Sequence, residues 1–302
     1  MIPAGADAVV RVEDTEPAAG DGLVAIAVAP EPGANIRRAG EDIEPGRKLL
    51  EPGTMLGAAE LGVLASVGVA ELDCVRRPRL ALLCTGDELV GADDPLPPGA
   101  VRNSNAYSIP ALARASGAET AGVARAVDDR EATVEAIEAG LGADVLVISG
   151  GVSVGAHDHV RPALERLGVE QRFWGVSLKP GKPAYFGTSG ERLVFGLPGN
   201  PVSAYVTFLL FVRPALLALQ GADASSVRAR ARLAQAYEKP TDRAHAIRCR
   251  LELDEAGWVA HPAPHQGSHV MTSLLGADAL AVIGAETARV EAGENVTVEL
   301  IG

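Results

Sequence analysis

The sequence predicts an α/β protein: a central domain on a mainly parallel sheet, flanked by an upstream β-rich segment and a C-terminal all-β domain. Three observations carry that expectation. From Arg79 onward, short apolar runs alternate with helical patterns about ten residues long, as βαβ units require. Beyond a small-residue hinge at 221–226, short strands are separated by Gly and Pro with no helical pattern. Three glycine-rich turns each follow an apolar run directly: Thr85-Gly86-Asp87-Glu88, Ser149-Gly150-Gly151-Val152-Ser153-Val154-Gly155 and Leu197-Pro198-Gly199-Asn200-Pro201. In a parallel α/β sheet such turns gather at the carboxyl ends of the strands, where ligands bind. Glycine lets a ligand approach the backbone, and a helix start offers free N–H groups to an anion. A phosphorylated ligand is the expectation, although neither Walker A nor Gly-x-Gly-x-x-Gly occurs.

Element by element, residues 1–75 read as short strands and turns, with strands at 8–12 and 23–28 split by Pro17 to Gly22. A strand at 8–12 would leave an open backbone edge. A short helix is expected over 58–65 and a strand near 70–72. The central domain, 76–222, is expected to run strand 80–84, helix 108–115, strand 120–127, helix 130–141, strand 145–148 and helix 160–167. Strands near 184–186 and 193–196 follow, then a long apolar helix from Pro201 to Leu219. There Asn200 suits the N-cap and Pro201 the first helical turn. The third domain, 227–302, carries strands at 247–251, 279–283 and 296–300.

Composition narrows the function. No run of eighteen apolar residues marks a membrane span, and Met1 to Asp7 lacks a signal-peptide layout. Cys74, Cys84 and Cys249 form neither a disulfide framework nor a C-x-x-C metal motif. A soluble cytoplasmic protein is expected. The net charge of −12 argues against nucleic acid, so anion binding must be local. Of 27 basic residues only Lys48, Lys179, Lys182 and Lys239 are lysines, and two of the four fall within Lys179-Pro180-Gly181-Lys182-Pro183. Prolines stiffen this turn and hold two ammonium groups near each other. That arrangement is costly unless an anion sits between them; a solvated basic turn is the plainer alternative.

These motifs, in this order, closely resemble the molybdopterin molybdotransferase (molybdenum insertase) family, also seen in the C-terminal part of gephyrin. The likeness extends upstream to Pro3–Val10 and Asn35–Ile43 and downstream to Gly267-Ser268-His269. It implies that the central domain binds molybdopterin. The implied reaction is molybdate plus adenylyl-molybdopterin giving molybdenum cofactor and AMP, assisted by Mg²⁺. It also implies a homodimer whose cleft the partner subunit completes, with a molybdopterin adenylyltransferase as a possible partner. Family members carry a long segment before the motif that opens this chain, so residues 1–75 are expected to be the incomplete remainder of lid and dimer domains.

The resemblance places Asp158 beside the pterin phosphate and metal, and Asp42 as an acid reaching across the dimer. Glu88 and Asp87, at the mouth of a buried strand, suit a Mg²⁺–phosphate site or are first-turn helix acids. Asp128 and Asp129 precede a helix, so capping explains one and leaves the other for metal or ribose; Asp129 joins Asp158 and Glu88 as expected metal ligands. His157 and His159 around Asp158 form a weak His-x-His pair. The reaction needs no nucleophile, only cations where charge develops. Lys179, Lys182, Arg37 and Arg102 are candidate oxyanion clamps. Thr85, Gly86, Ser149, Gly150, Gly151, Ser153, Gly155, Pro198, Gly199, Asn200 and Ser203 would cradle phosphate or pterin. Asn103, Ser104, Asn105 and Tyr107 would face adenine or ribose, core packing being an equal reading for Tyr107. The rival functions are the related molybdopterin adenylyltransferase and a non-catalytic pterin-binding scaffold.

Overall fold

The computed structural model describes residues 2–20, 22–152, 159–224 and 228–301. The chain divides into two compact units, Met1–Pro52 and Gly53–Gly302. In the first, the ladder pairs β1 (Thr15–Pro17) antiparallel with β2 (Val24–Ile26). Residues 8–12 form no strand, against expectation. Val12–Asp14 turns instead into a 3₁₀ helix, held by the Thr15 hydroxyl on the Val12 carbonyl and by Arg11 Nε on Asp14 at 2.9 Å. These polar side chains offer the backbone a local alternative to a ladder.

The second unit opens with α1 (Ala58–Ser66), where the Glu60 carboxylate accepts from the Gly57 N–H; no strand forms near 70–72. The expected segment 1–75 is therefore shared between the two units, whose division falls after Pro52. Then come β3 (Arg79–Thr85), the short β4 (Leu89–Val90) and β5 (Val101–Arg102), α2 (Asn105–Ala115), β6 (Glu119–Ala126), α3 (Arg130–Gly140), β7 (Val145–Ser149), α4 (Val160–Arg166), β8 (Glu170–Trp174), β9 (Leu178–Lys179), β10 (Tyr185–Ser189) and β11 (Arg192–Leu197). The central sheet has the order β6-β3-β7-β11-β10-β8. Its first three ladders are parallel and its last two antiparallel.

Strands β3 and β7 are apolar at nearly every position because both sheet faces are covered. Leu80, Leu82, Val145 and Val147 pack with Ile109 and Phe208 on one side; Leu83, Leu146 and Ile148 pack with Ile137 and Leu164 on the other. The run from Pro201 is long and apolar enough to cross a membrane. Its apolar residues are instead core: Val202, Val206, Phe208, Val212 and Leu216 are fully buried. It is not one α-helix. A π turn over 208–212 separates α5 (Pro201–Thr207) from α6 (Arg213–Leu219). Pro214 has no N–H to return to the carbonyl four residues back, and the ladder widens before it.

The last strands are β12 (Arg228–Leu233), β13 (Tyr237–Glu238), β14 (Ala244–Asp254), β15 (Gly257–Pro262), β16 (Ala279–Ile283), β17 (Arg289–Val290) and β18 (Asn295–Leu300). The order β15-β12-β18-β16-β14 closes on itself through β14–β15 pairing, making a small barrel. Barrel and central sheet belong to one unit for visible reasons. Strand β9 leaves the α/β domain to pair with β14. Buried Arg213 of α6 donates to the Ile301 and Leu300 carbonyls at 2.8 and 2.6 Å.

Candidate active site

Strands β3, β7 and β11 are adjacent and parallel, so their three glycine turns converge at one end of the sheet. Between them opens a cavity of about 610 Å³, walled by Thr85, Gly86, Glu88, Asn105, Asp128, Ser149, Gly150, Gly151, Pro198, Gly199 and Asn200. Thr85 packs against the backbone of Gly150 and Gly151, where side chains would collide with it. Asn105, buried at the start of α2, ties the walls together: its amide donates to Ser149 Oγ at 2.7 Å and to the Gly199 carbonyl at 2.9 Å. The Ser149 hydroxyl thus accepts from Asn105 and keeps its own proton to donate. Glu88 and Asp128 are the two carboxylic residues among the described residues of this wall.

A second cavity, about 600 Å³, adjoins the first through Pro183 and through a 3.4 Å contact between Asn200 Nδ2 and Ser268 Oγ. Its cations are Lys179, Lys182, Arg243 and Arg248, and no carboxylate is among its described lining residues. Lys179 and Lys182 are exposed, while Pro180 and Gly181 between them are buried. Gly181, at φ 122°, sits against Thr207 with no room for a side chain. Arg248 is fully buried in the barrel wall. Its guanidinium donates to Ser273 Oγ at 3.1 Å and to the His265 and Gly267 carbonyls at 3.2 and 3.3 Å. Its partners are neutral dipoles rather than a carboxylate, and burial lowers its pKa. An anion in this cavity would meet an uncompensated charge.

Residues 81–218 match the family described as a probable molybdopterin binding domain, 1–68 the MoeA N-terminal region (domains I and II) and 230–301 the MoeA C-terminal region (domain IV). The molybdopterin molybdenumtransferase of Haemophilus influenzae is 36% identical over 304 residues, covering 99% of this chain and 74% of that protein. That of Bacillus subtilis is 34% identical, covering 100% and 71%. The crystal structure of the molybdopterin biosynthesis MoeA protein from Pyrococcus horikosii superposes with a TM-score of 0.78 at 32% identity, covering 100% of this chain and 74% of that one. The chain belongs to the molybdopterin molybdenumtransferase family.

Within this member of the transferase family, some expected site residues stand elsewhere. Asp129 does not reach the cavity wall. Its carboxylate accepts from the Ala132 N–H at 2.9 Å and caps α3, so Asp128 is the acid left facing the cavity. Asp87 is not among the lining residues; its carboxylate accepts from the Asp128 N–H at 3.0 Å and braces one turn against the next. Asn200 does not cap α5 with its side chain, which turns toward Ser268 of the barrel segment. Arg102 lines the first cavity, but its guanidinium is pinned to the Gly91 and Asp94 carbonyls. Tyr107 is exposed, its hydroxyl accepting from the Ala92 N–H. Arg37 and Asp42 lie on the surface of the first unit. Asp158, Ser153 and Gly155 fall outside the described residues, as does His157. Among the described residues no group of three His, Cys, Asp or Glu side chains is gathered as a metal site.

Sequence reasoning passed over Arg248 and Trp174. The Trp174 indole N–H donates to the Val152 carbonyl at 2.9 Å, and the Arg161 guanidinium lies 4.3 Å from the ring centroid. This pair anchors the described end of the second glycine loop. A tryptophan in a chain with two of them was the available signal.

Proposed function

We propose that this chain inserts molybdate into adenylylated molybdopterin, releasing AMP and molybdenum cofactor. The observation carrying this reading is the juxtaposition of two chemically opposite cavities, one glycine-walled and acidic, the other cationic with no carboxylate among its described lining residues. The first suits a phosphate held by backbone N–H groups and the Ser149 hydroxyl, beside a hard cation on oxygen ligands. Glu88 and Asp128 would hold Mg²⁺ together with phosphate oxygens, and Asp158 is assigned there by resemblance. Bound Mg²⁺ would offset charge at the breaking phosphoanhydride. Lys179, Lys182 and Arg248 would hold the molybdate dianion beside it. No side chain need act as nucleophile; the residues position two anions that repel each other in water.

The active form is proposed to be a soluble cytoplasmic homodimer, with Arg37 and Asp42 serving the partner's cleft and a molybdopterin adenylyltransferase supplying substrate. The two flanking regions, 1–68 and 230–301, favour insertion over adenylylation as this chain's own reaction.

The test is AMP release from adenylyl-molybdopterin with molybdate and Mg²⁺. Lys179→Ala and Lys182→Ala should each raise the molybdate concentration for half-maximal turnover at least tenfold. Unchanged molybdate dependence in both would overturn the assignment of the cationic cavity.

A further inference from the structure

Among the titratable side chains of the cationic cavity that the reading above leaves without a task, which include His269 and Tyr237, His245 is the buried imidazole. His245 is the second residue of β14, directly opposite Lys179 in the β9–β14 pairing, and only 4% of it is exposed. Its Nδ1 lies 3.0 Å from the Tyr237 hydroxyl, with the two rings edge-on at 6.0 Å between centroids. Its Nε2 has no hydrogen-bond partner among the described residues.

The charged and titratable groups around this ring come from several elements. Lys179 lies on β9 and Tyr237 on β13; Lys239, Asp242 and Arg243 lie in the turn between β13 and β14, Arg248 is further along β14, and Lys182 and His269, from the loops after β9 and β15, line the same cavity. Across the barrel sheet the ring's register partner is apolar Ile283. The Lys239 ammonium donates to the Pro240, Arg243 and Ala285 carbonyls, so its protons are committed while its charge remains. Burial, then Lys179 and Lys239, hold the imidazole below its ordinary pKa of 6.5, with Asp242 opposing. Burial also raises the Tyr237 phenol above 10, so it stays protonated. The neutral ring therefore accepts the phenol proton at Nδ1 and carries its own proton on Nε2, an assignment made from the network.

We propose that His245 is the proton-accepting residue of the oxyanion site, taking up one proton when a tetrahedral dianion binds. One N–H bond forms at Nδ1 with a proton from bulk water, and the Tyr237 hydroxyl rotates from donor to acceptor. Nothing is oxidised or reduced, and no bond in the oxyanion breaks. Both ring nitrogens then donate: Nε2–H to the oxyanion and Nδ1–H to Tyr237. The driving force is the dianion's charge, which reverses the local field of the surrounding cations.

Linkage sets the sign. Below the free-state pKa the ring is already charged and uptake vanishes. Above it, up to the raised bound-state pKa, binding consumes a proton, so affinity falls as pH rises, by up to about tenfold per pH unit. This inference rests on the cationic cavity being the oxyanion site, and the test separates the two. Calorimetric titration of the full chain with molybdate, in two buffers of different ionisation enthalpy between pH 6 and 8, should show a fraction of a proton taken up. His245→Gln should still bind molybdate but lose that uptake; sulfate, which stays a dianion in this range, should behave as molybdate does. The wild-type chain labelled with ¹⁵N-histidine provides a readout without substitution, since one ring should acquire the imidazolium signature on molybdate addition. Uptake equal in wild type and His245→Gln, or no ring protonation, would overturn the role of His245 while leaving the site intact. Molybdate binding indifferent to Lys179→Ala and Lys182→Ala would overturn the site and this role together.

Discussion

Gly150→Ala tests whether the glycine turns owe their shape to crowding between strand ends. Gly150 has φ 95°, and a β-carbon there would lie 2.8 Å from the Thr85 carbonyl oxygen and 2.9 Å from Thr85 Oγ1. The left-handed backbone alone costs an L-residue about 1–2 kcal/mol. Forcing a methyl group against backbone that cannot swing aside adds about 1–3 kcal/mol. The expected loss is therefore about 2–5 kcal/mol. Gly190, in the β10–β11 hairpin, is the control: it has φ 58° with nothing within 4 Å of the added carbon, so Gly190→Ala should lose only the backbone share. Urea unfolding followed by tryptophan fluorescence suits the comparison, because Trp174 is bonded to Val152, two residues past Gly150. Gly150→Ala should also lose AMP release, since Thr85 and the Gly150 backbone can no longer keep their close approach in the cavity wall. If it unfolds at the same urea concentration as Gly190→Ala, the crowding argument is wrong.

Further expectations follow from individual contacts. Asp129→Ala should cost about 1 kcal/mol through the lost α3 cap, with the Mg²⁺ dependence of turnover unchanged; Asp128→Ala should keep stability and shift that dependence, and the reverse pattern would show the roles misassigned. Arg248→Met keeps side-chain bulk but strands the His265 and Gly267 carbonyls. It should lose about 2–5 kcal/mol in denaturant titration and weaken molybdate binding; wild-type affinity would remove Arg248 from the oxyanion site. Asp144 accepts from Arg76 and from the Arg79 N–H, and the Arg76 hydrogen bond above all lowers its pKa from 3.8 to about 2. A depressed carboxyl stabilises the fold above its unfolded value and loses that contribution as pH falls from 3.8 toward 2. Asp144→Asn should therefore unfold more easily at pH 7 and show a shallower acid limb in that window, and an unaltered acid limb would contradict this account.

What local chemistry dictates was legible in the chain. Continuous apolar runs at 80–84 and 145–148 announce strands buried on both faces, because a half-exposed strand would alternate. Glycines directly after those runs mark the strand ends as the candidate site, and the order of motifs identifies the family. Strand β8, Glu-Gln-Arg-Phe-Trp, went unread because it is largely solvent-facing and its strand state comes from pairing with β10. Strand β12 hides an inward Ala231 and Leu233 between arginines that face out. The partition of work between neighbours was likewise invisible. Asp128 and Asp129 are chemically identical, and backbone geometry at the start of α3 alone sends one to the cap and the other to the cavity. Asn200 and Ser268, 68 residues apart, meet because the barrel docks on the α/β domain. Arg248 and His245 join the lysine turn because β9 crosses over to pair with β14. Periodicity reports the environment of one segment at a time. A site assembled from segments far apart in sequence exists only once packing has fixed their distances.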